Sequence, residues 1–205
     1  MNLTTNSMQL NLFSEKIIDS PNIPGLEYIE NVISIEEEQA LLETIDAQNW
    51  MLDLKRRVQH YGYKYDYKAR NIDRSMYLGK LPNWITQIVT KIINNSLIDE
   101  IPDQAIINEY QPGQGISSHI DCKSCFSNTI LSLSLNSTCI MDFQSSIDNT
   151  KNSLLLKPRS LTILRNEARY NWKHGIAARK SDQWQNEKLI RKRRVSLTFR
   201  KVVIL

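Results

Sequence analysis

At Gln104 the spacing of apolar residues changes from helical to alternating, and little else about the chain restricts its fold as strongly. From there onward, seven short runs (QAIINEY, ILSLSLN, CIMDF, NSLLLK, SLTILR, KHGIAA and RRVSLTFRKV) alternate apolar and polar residues or read as short buried segments. Successive strand side chains point to opposite faces, so a period of two predicts strands with one face turned to a core. Turn residues separate the runs. The expected centre is a β-sandwich or jelly roll.

Upstream the period is helical. Ser34-Ile35-Glu36-Glu37 is a capping-box sequence, predicted to open a helix running to about Gln48 with Leu41, Leu42 and Ile45 inward. After Pro82, the residues Trp84, Ile85, Ile88, Val89, Ile92 and Ile93 form a wide apolar helical face. These are core positions. Residues 1–24 are polar, end in Pro21 and Pro24, and are expected to form a flexible tail before one folded domain at 25–205. The fold class is therefore α+β, with two N-terminal helices packed on a strand-built core.

Composition excludes several classes. No apolar run is long enough to span a bilayer, so no membrane partner is expected. The segment MNLTTNSMQLNLFSEK has neither a basic nor an apolar signal region, and the first arginine is Arg56. The expected compartment is the cytoplasm, and the expected state a monomer. Three cysteines, Cys122, Cys125 and Cys139, are too few for a disulfide framework. Cys122 and Cys125 form half of a tetrahedral zinc site with no second pair to complete it, and are read as ordinary reduced thiols.

The charge is unevenly spread. Segment 55–74 carries seven Lys/Arg against two Asp, and segment 188–205 carries seven Lys/Arg and no acid. The remainder is net −8. Two basic segments on an acidic body concentrate a positive field, as a phosphate-backbone partner requires, although solvated faces would read the same way.

His119 and Asp121 stand two apart in QPGQGISSHID, so a strand there would point an imidazole and a carboxylate to one face. A third metal ligand would come from His60 or His174, the remaining histidines. Two histidines and one carboxylate form the facial triad of non-haem iron oxygenases. In the last run, alternation sets Arg194, Ser196, Thr198 and Arg200 on one face and Val195, Leu197 and Phe199 on the other. Two arginines on a polar strand face suit a small dicarboxylate. Asn108 and Tyr110 share the same two-residue spacing and can aim into one cavity.

The ordered series NEYQPGQGISSHID, SLSL, MDF, RYNWKHGI and RRVSLTFRKV resembles the AlkB family of dioxygenases, from about Gly25 to Val203. The resemblance implies a double-stranded β-helix (jelly-roll) core. It implies Fe(II) held by His119, Asp121 and His174, with 2-oxoglutarate and O2 as co-substrates. It gives Arg194 and Tyr110 to the distal carboxylate of 2-oxoglutarate, and Arg200 and Asn108 to the end near the metal. Ser196 stands where the family's RxNLTFR motif has asparagine. Segment 55–74 resembles the family's nucleotide-recognition lid, where Arg56, Arg57, Tyr61 and Tyr65 would cover a substrate base.

The implied reaction is oxidation of a modified base in DNA or RNA, taken as a single strand or flipped from a duplex. Oxidative demethylation of N-alkylated bases is the first reading. Hydroxylation of a tRNA wobble uridine is the second, because the lid and GQGISSHID most resemble those members. Repair members usually follow the HxD with acidic residues, whereas this chain continues Cys122-Lys123-Ser124-Cys125. A third reading, a non-catalytic jelly-roll binding module or a relative acting on protein or lipid, is opposed by the complete ligand set and both arginines. Finally, Gln9-Leu10-Asn11-Leu12-Phe13 resembles the QLxLF peptides that bind bacterial sliding clamps, a match short enough to arise by chance.

Overall fold

Alternation along four strands divides the interior into two cores. In chain order the elements are β1 (Leu26–Ile29), α1 (Ile35–Asp46), β2 (Val58–Tyr61), a 3-10 turn (Arg74–Met76), α2 (Asn83–Asn94), β3 (Gln104–Tyr110), β4 (Ile116–His119) and β5 (Phe126–Leu135). They continue with β6 (Cys139–Ser145), β7 (Lys151–Leu156), β8 (Ser160–Leu164), α3 (Asn166–Tyr170), β9 (Trp172–Ile176), β10 (Ser181–Trp184), β11 (Glu187–Ile190) and β12 (Arg194–Val202). The structure, a computed structural model, describes residues 20–204 apart from 53, 96 and 99. The Gln9–Phe13 peptide lies outside the described residues.

One sheet has the order β1-β8-β5-β12-β3-β2, the other β4-β9-β6-β7, and every pairing is antiparallel. On the large sheet, Ala105, Ile107, Leu131, Leu133, Leu135, Leu161, Ile163, Val195, Leu197 and Phe199 turn outward to α1 and α2. There they meet Leu41, Ile45, Ile85, Val89 and Ile92. Each such side chain contributes about 1.5–3 kcal/mol on full burial, so this face holds the helices. The opposite face of the same strands lines a cavity of about 610 Å³, closed on its far side by residues of the small sheet. The fold is the jelly roll with two packed helices that the alternation predicts.

Both helices start close to the predicted positions, and the first ends at Asp46, near the predicted Gln48. Ser34 Oγ accepts from the Glu37 backbone N–H, and the Ser34 N–H donates to the Glu37 carboxylate at 2.6 Å, completing the capping box. The folded part begins earlier than Gly25. Ile23 is buried in the core and Pro24 O accepts from the Ala168 N–H, so the tail boundary at 24 lies inside packed structure. Strands β1, β2, β10 and β11 are four residues each, too short for alternation to predict. The β10–β11 hairpin turns on Gln185 and Asn186, both at positive φ. Its only sequence signal is one asparagine, weaker than the Asn-Gly pair that marks such turns.

Candidate active site

The short strand β4 pairs with β9 so that His119 lies directly opposite His174. Their ring centroids are 4.6 Å apart. Asp121 follows two residues after His119, and its Oδ2 is 3.7 Å from His174 Nε2. The ligand atoms of His119, Asp121 and His174 all lie within 4.8 Å of one another, close enough to hold one metal ion. His60, the alternative third ligand, sits on β2 with its ring against Tyr67 and takes no part in this cluster.

Close approach of the two strands depends on glycine. A Cβ on Gly175 would come within 2.9 Å of Ser118 Cα, and one on Gly115 within 2.1 Å of Ile176 O. No side chain fits at either place without moving β4 and its histidine.

Electrostatics set the protonation these ligands need. His119 Nδ1 lies 2.8 Å from Ser117 O, a carbonyl that can only accept, so Nδ1 donates there and Nε2 is left as the ligand atom. Burial, reinforced by His119, pushes the His174 pKa down to about 4, keeping its ring neutral at physiological pH. Burial works against charge on Asp121, but Arg200, His174 and His119 outweigh it and hold the carboxyl well below its usual range. Arg200 Nη2 donates to Asp121 Oδ1 at 2.8 Å. Two imidazoles, that of His174 held neutral, and an ionised carboxylate are suited to a divalent cation of the iron type.

On the large sheet, Arg194, Ser196, Thr198 and Arg200 all line the cavity, as alternation predicts. So do Asn108 and Tyr110 of the neighbouring strand. Register places Arg194 opposite Tyr110 and Ser196 opposite Asn108. The Arg194 guanidinium lies 5.4 Å from the Tyr110 ring centre, and its Nε donates to Ser134 Oγ at 2.9 Å. Among the described residues, Arg194 Nη2, Arg200 Nε and Thr162 Oγ1 are buried with no hydrogen-bond partner. Buried donors are normally paired, and these three residues border one cavity. A small dicarboxylate beside a metal fits that unmet demand, so the residues present suit both iron and 2-oxoglutarate.

The site therefore makes a direct prediction. Arg194→Ala should weaken 2-oxoglutarate binding by about 1.5–3 kcal/mol, the worth of a charge-assisted pair, roughly 10- to 150-fold. Val195→Ala, facing the helices, should lower stability and leave that affinity alone. Calorimetric titration with manganese(II) in place of iron reads both, and unchanged affinity in the Arg194 variant would remove the arginine from the co-substrate site.

Several expectations need correction. Tyr61 does not face the cavity: it packs edge-on against Trp84 of α2 at 5.3 Å and bonds Gln59 Oε1. Arg57 is likewise turned away, with its Nη2 donating to Glu109 Oε1 at 2.8 Å and its guanidinium over Trp50. The reason is alternation across β2, where residues 57, 59 and 61 face the helices. Arg56, of opposite parity, lines the cavity and donates to Asn108 Oδ1 at 2.8 Å. Tyr65 lines it too, against Phe126 at 5.7 Å.

The C-terminal basic segment is mostly occupied internally: Arg191 pairs with Asp182, Arg193 with Asp46 and Glu109, Arg200 with Asp121, and Lys201 with Asp103. Nor are Cys122 and Cys125 reduced thiols. They form a disulfide, because the turn after Asp121 brings their Cα atoms to 5.3 Å.

Sequence reasoning reaches Tyr67 as one of the lid's interleaved tyrosines, but overlooks Arg70, Thr162 and Arg169. Tyr67 and Arg70 extend the lid side of the cavity, and Thr162 lies on the β8 row that alternation could have exposed. Arg169 is 2% exposed and donates to the backbone carbonyls of Asp121 (3.0 Å) and Cys122 (2.8 Å). Its only sequence signal is membership of the RYNWKHGI motif.

Comparisons with known proteins agree with this geometry. The sequence profile of the 2OG-Fe(II) oxygenase superfamily matches residues 48–200. The Alkylated DNA repair protein ALKBH8 homolog of Arabidopsis thaliana is 41% identical over 211 residues, covering 91% of this chain and 61% of that protein. The tRNA (carboxymethyluridine(34)-5-O)-methyltransferase ALKBH8 of Macaca fascicularis is 44% identical over 170 residues, covering 79% of this chain. The chain spans 26% of that protein's length. The solved structure of OsALKBH1 superposes with a TM-score of 0.67 at 15% identity, covering 89% of this chain and 99% of that one. An antiparallel jelly roll, a His-Asp-His cluster within it and a paired arginine face thus coincide with matches in sequence and fold, and the chain belongs to the AlkB family of 2OG-Fe(II) oxygenases, the dioxygenases that use iron(II), 2-oxoglutarate and O2.

Proposed function

We propose that this protein oxidises a modified base in nucleic acid, and that the base is uncharged or anionic, with wobble-position uridine in tRNA as the leading case. The observation that carries the choice is the charge of the cavity. Lys55, Arg56 and Arg70 line it in addition to Arg194 and Arg200, which face the co-substrate and Asp121, and among the described residues Asp121, the candidate metal ligand, is the one carboxylate lining it. Bases methylated at adenine N1 or cytosine N3 are cations, and a cationic wall repels them. A uridine bearing a C5 substituent is neutral or, with a carboxylate, attracted. The ALKBH8 relatives are in keeping with this reading, although this chain spans only part of them.

His119, Asp121 and His174 would hold the iron, and Arg194 with Tyr110 the distal carboxylate of 2-oxoglutarate. When bound, iron(II) and 2-oxoglutarate supply the oxidising power from O2, with succinate and carbon dioxide as products. The chain's own work is positioning and exclusion. Arg200 holds Asp121 in place, while the apolar walls from Ile106, Ile130 and Met141 keep water from the reacting carbon. Tyr65 and Tyr67 offer ring faces to a base at the mouth, and Lys55, Arg56 and Arg70 offer charge to its flanking phosphates.

The test is nucleoside mass spectrometry after incubation of tRNA, and separately of an N1-methyladenine oligonucleotide, with iron(II) and 2-oxoglutarate. Gain of one oxygen on a uridine derivative, without aldehyde release from the methylated oligonucleotide, is expected. Demethylation of the oligonucleotide with unaltered tRNA would overturn the choice of base. In the same samples, Lys55→Ala with Arg70→Ala should lower the salt slope of RNA binding by about 1.4–1.8 in log–log form, two phosphate contacts' worth.

A further inference from the structure

The Cys122–Cys125 disulfide closes the turn after the metal-ligand segment and packs against the lid. It begins one residue after Asp121, and Cys122 lines the cavity. Both sulfurs lie 3.4 Å from the backbone carbonyl of Arg70, on the lid. Arg70 Nη2 in turn donates to Ile120 O at 3.0 Å, so lid and turn meet at two points. Nothing in the oxygenase chemistry uses these sulfurs.

We infer that Cys122 and Cys125 are a redox-responsive clip that sets how firmly the lid segment Tyr65–Arg70 closes over the cavity. A small-molecule thiol entering through the cavity mouth operates it. Cys122 and Cys125 are 7% and 4% exposed, so the wall around them is packed. Two thiols cannot share the space of one disulfide, because nonbonded heavy atoms stay roughly 3.5–4 Å apart. On reduction something must move. The turn is anchored, because Arg169 donates to the carbonyls of Asp121 and Cys122 and Cys125 O accepts from Val203 N–H. The lid is held here by the exposed Arg70–Ile120 bond and by Tyr65 packed on Phe126, whereas the turn has buried anchors, so the lid gives way first.

The exchange balances. A thiolate in the cavity that Cys122 lines attacks Cys122 Sγ; the S–S bond breaks, and Cys125 leaves as a thiolate and takes a proton. A second thiol displaces Cys122 in the same way. Two thiols become one external disulfide, and two electrons and two protons reach the cysteines. Opening of the lid then admits or releases the nucleic acid without altering the iron ligands.

Limited trypsin digestion of the full metal-free chain tests this without reference to any substrate. Protein is treated with oxidised or reduced glutathione, and blocked thiols are counted after denaturation: one, Cys139, when oxidised, and three when reduced. Cleavage after Lys64, Lys68 and Arg70 should quicken about fivefold or more on reduction, while cleavage in the β10–β11 hairpin stays constant. The double variant Cys122→Ser/Cys125→Ser should be cut at the reduced rate under both treatments. If that variant does not fold, the wild-type comparison alone decides. Equal lid cleavage in the two wild-type states, or three thiols after oxidation, would overturn the clip.

Discussion

His119→Ala, Asp121→Ala and His174→Ala will each reduce 2-oxoglutarate turnover to background, and His60→Ala will leave metal binding intact. The expectation rests on the β4–β9 register, which sets His119 opposite His174, and on ligand atoms gathered within 4.8 Å. Removing one of three protein ligands leaves a bidentate site, in which a divalent ion is held weakly and with the wrong geometry. Asp121→Ala has a second consequence, since Arg200 Nη2 loses its partner at 2.8 Å. Asp121→Asn separates the two effects: the amide oxygen still accepts from Arg200, but the ionic metal bond is gone. Anaerobic titration with manganese(II), followed by succinate release with iron(II), reads metal binding and turnover separately. Full metal affinity in the His174 variant, or its loss in the His60 variant, would refute the ligand set.

Legibility in the sequence followed physical constraint. The β12 faces could be read because Val195, Leu197 and Phe199 have to meet the helices, which leaves Arg194, Ser196, Thr198 and Arg200 to the cavity. The helices could be read for the same reason, and Ser34 announced the first through its cap. The lid was harder. In 55–67 nearly every residue is basic, polar or aromatic, so composition alone does not say which face each takes. Parity does for 56–61 once β2 is known, but β2 is too short to declare itself, and Gly62 at positive φ ends the alternation before Tyr65. That is why Arg57 and Tyr61 were grouped with Arg56 and Tyr65. The disulfide escaped because a CxxC is compatible with thiols, zinc or a bridge, and only the turn after Asp121 selects among them. The basic C-terminus misled by its net charge: the acids that neutralise Arg191, Arg193 and Lys201 come from distant positions, Asp182, Glu109, Asp46 and Asp103.

Arg169→Met will cost about 3–5 kcal/mol of stability and lower metal affinity as well, although Arg169 touches neither metal nor co-substrate. Its guanidinium is buried on α3, and its Nη groups meet Asp121 O and Cys122 O at 3.0 and 2.8 Å, with longer contacts to Phe126 O and Ser127 O. Methionine fills much of the volume but donates nothing, and each buried carbonyl left unpaired costs about 1–3 kcal/mol. For a chain of this size the loss corresponds to a fall in Tm on the order of 10 °C. The carbonyls belong to the segment that positions Asp121, so their release also loosens a metal ligand; outer contacts of this kind are worth about 10- to 100-fold in metal affinity. A purely structural residue would move the Tm alone. Arg169→Lys distinguishes the two roles, because an ammonium can satisfy one or two carbonyls without spanning the fork that holds both Asp121 and Cys122. Lysine should therefore restore part of the Tm while metal affinity stays low. Thermal unfolding of the metal-free chain beside manganese(II) titration of the same samples measures both quantities. Recovery of metal affinity in step with Tm would reduce Arg169 to a packing residue, and no change in either would place its hydrogen bonds elsewhere.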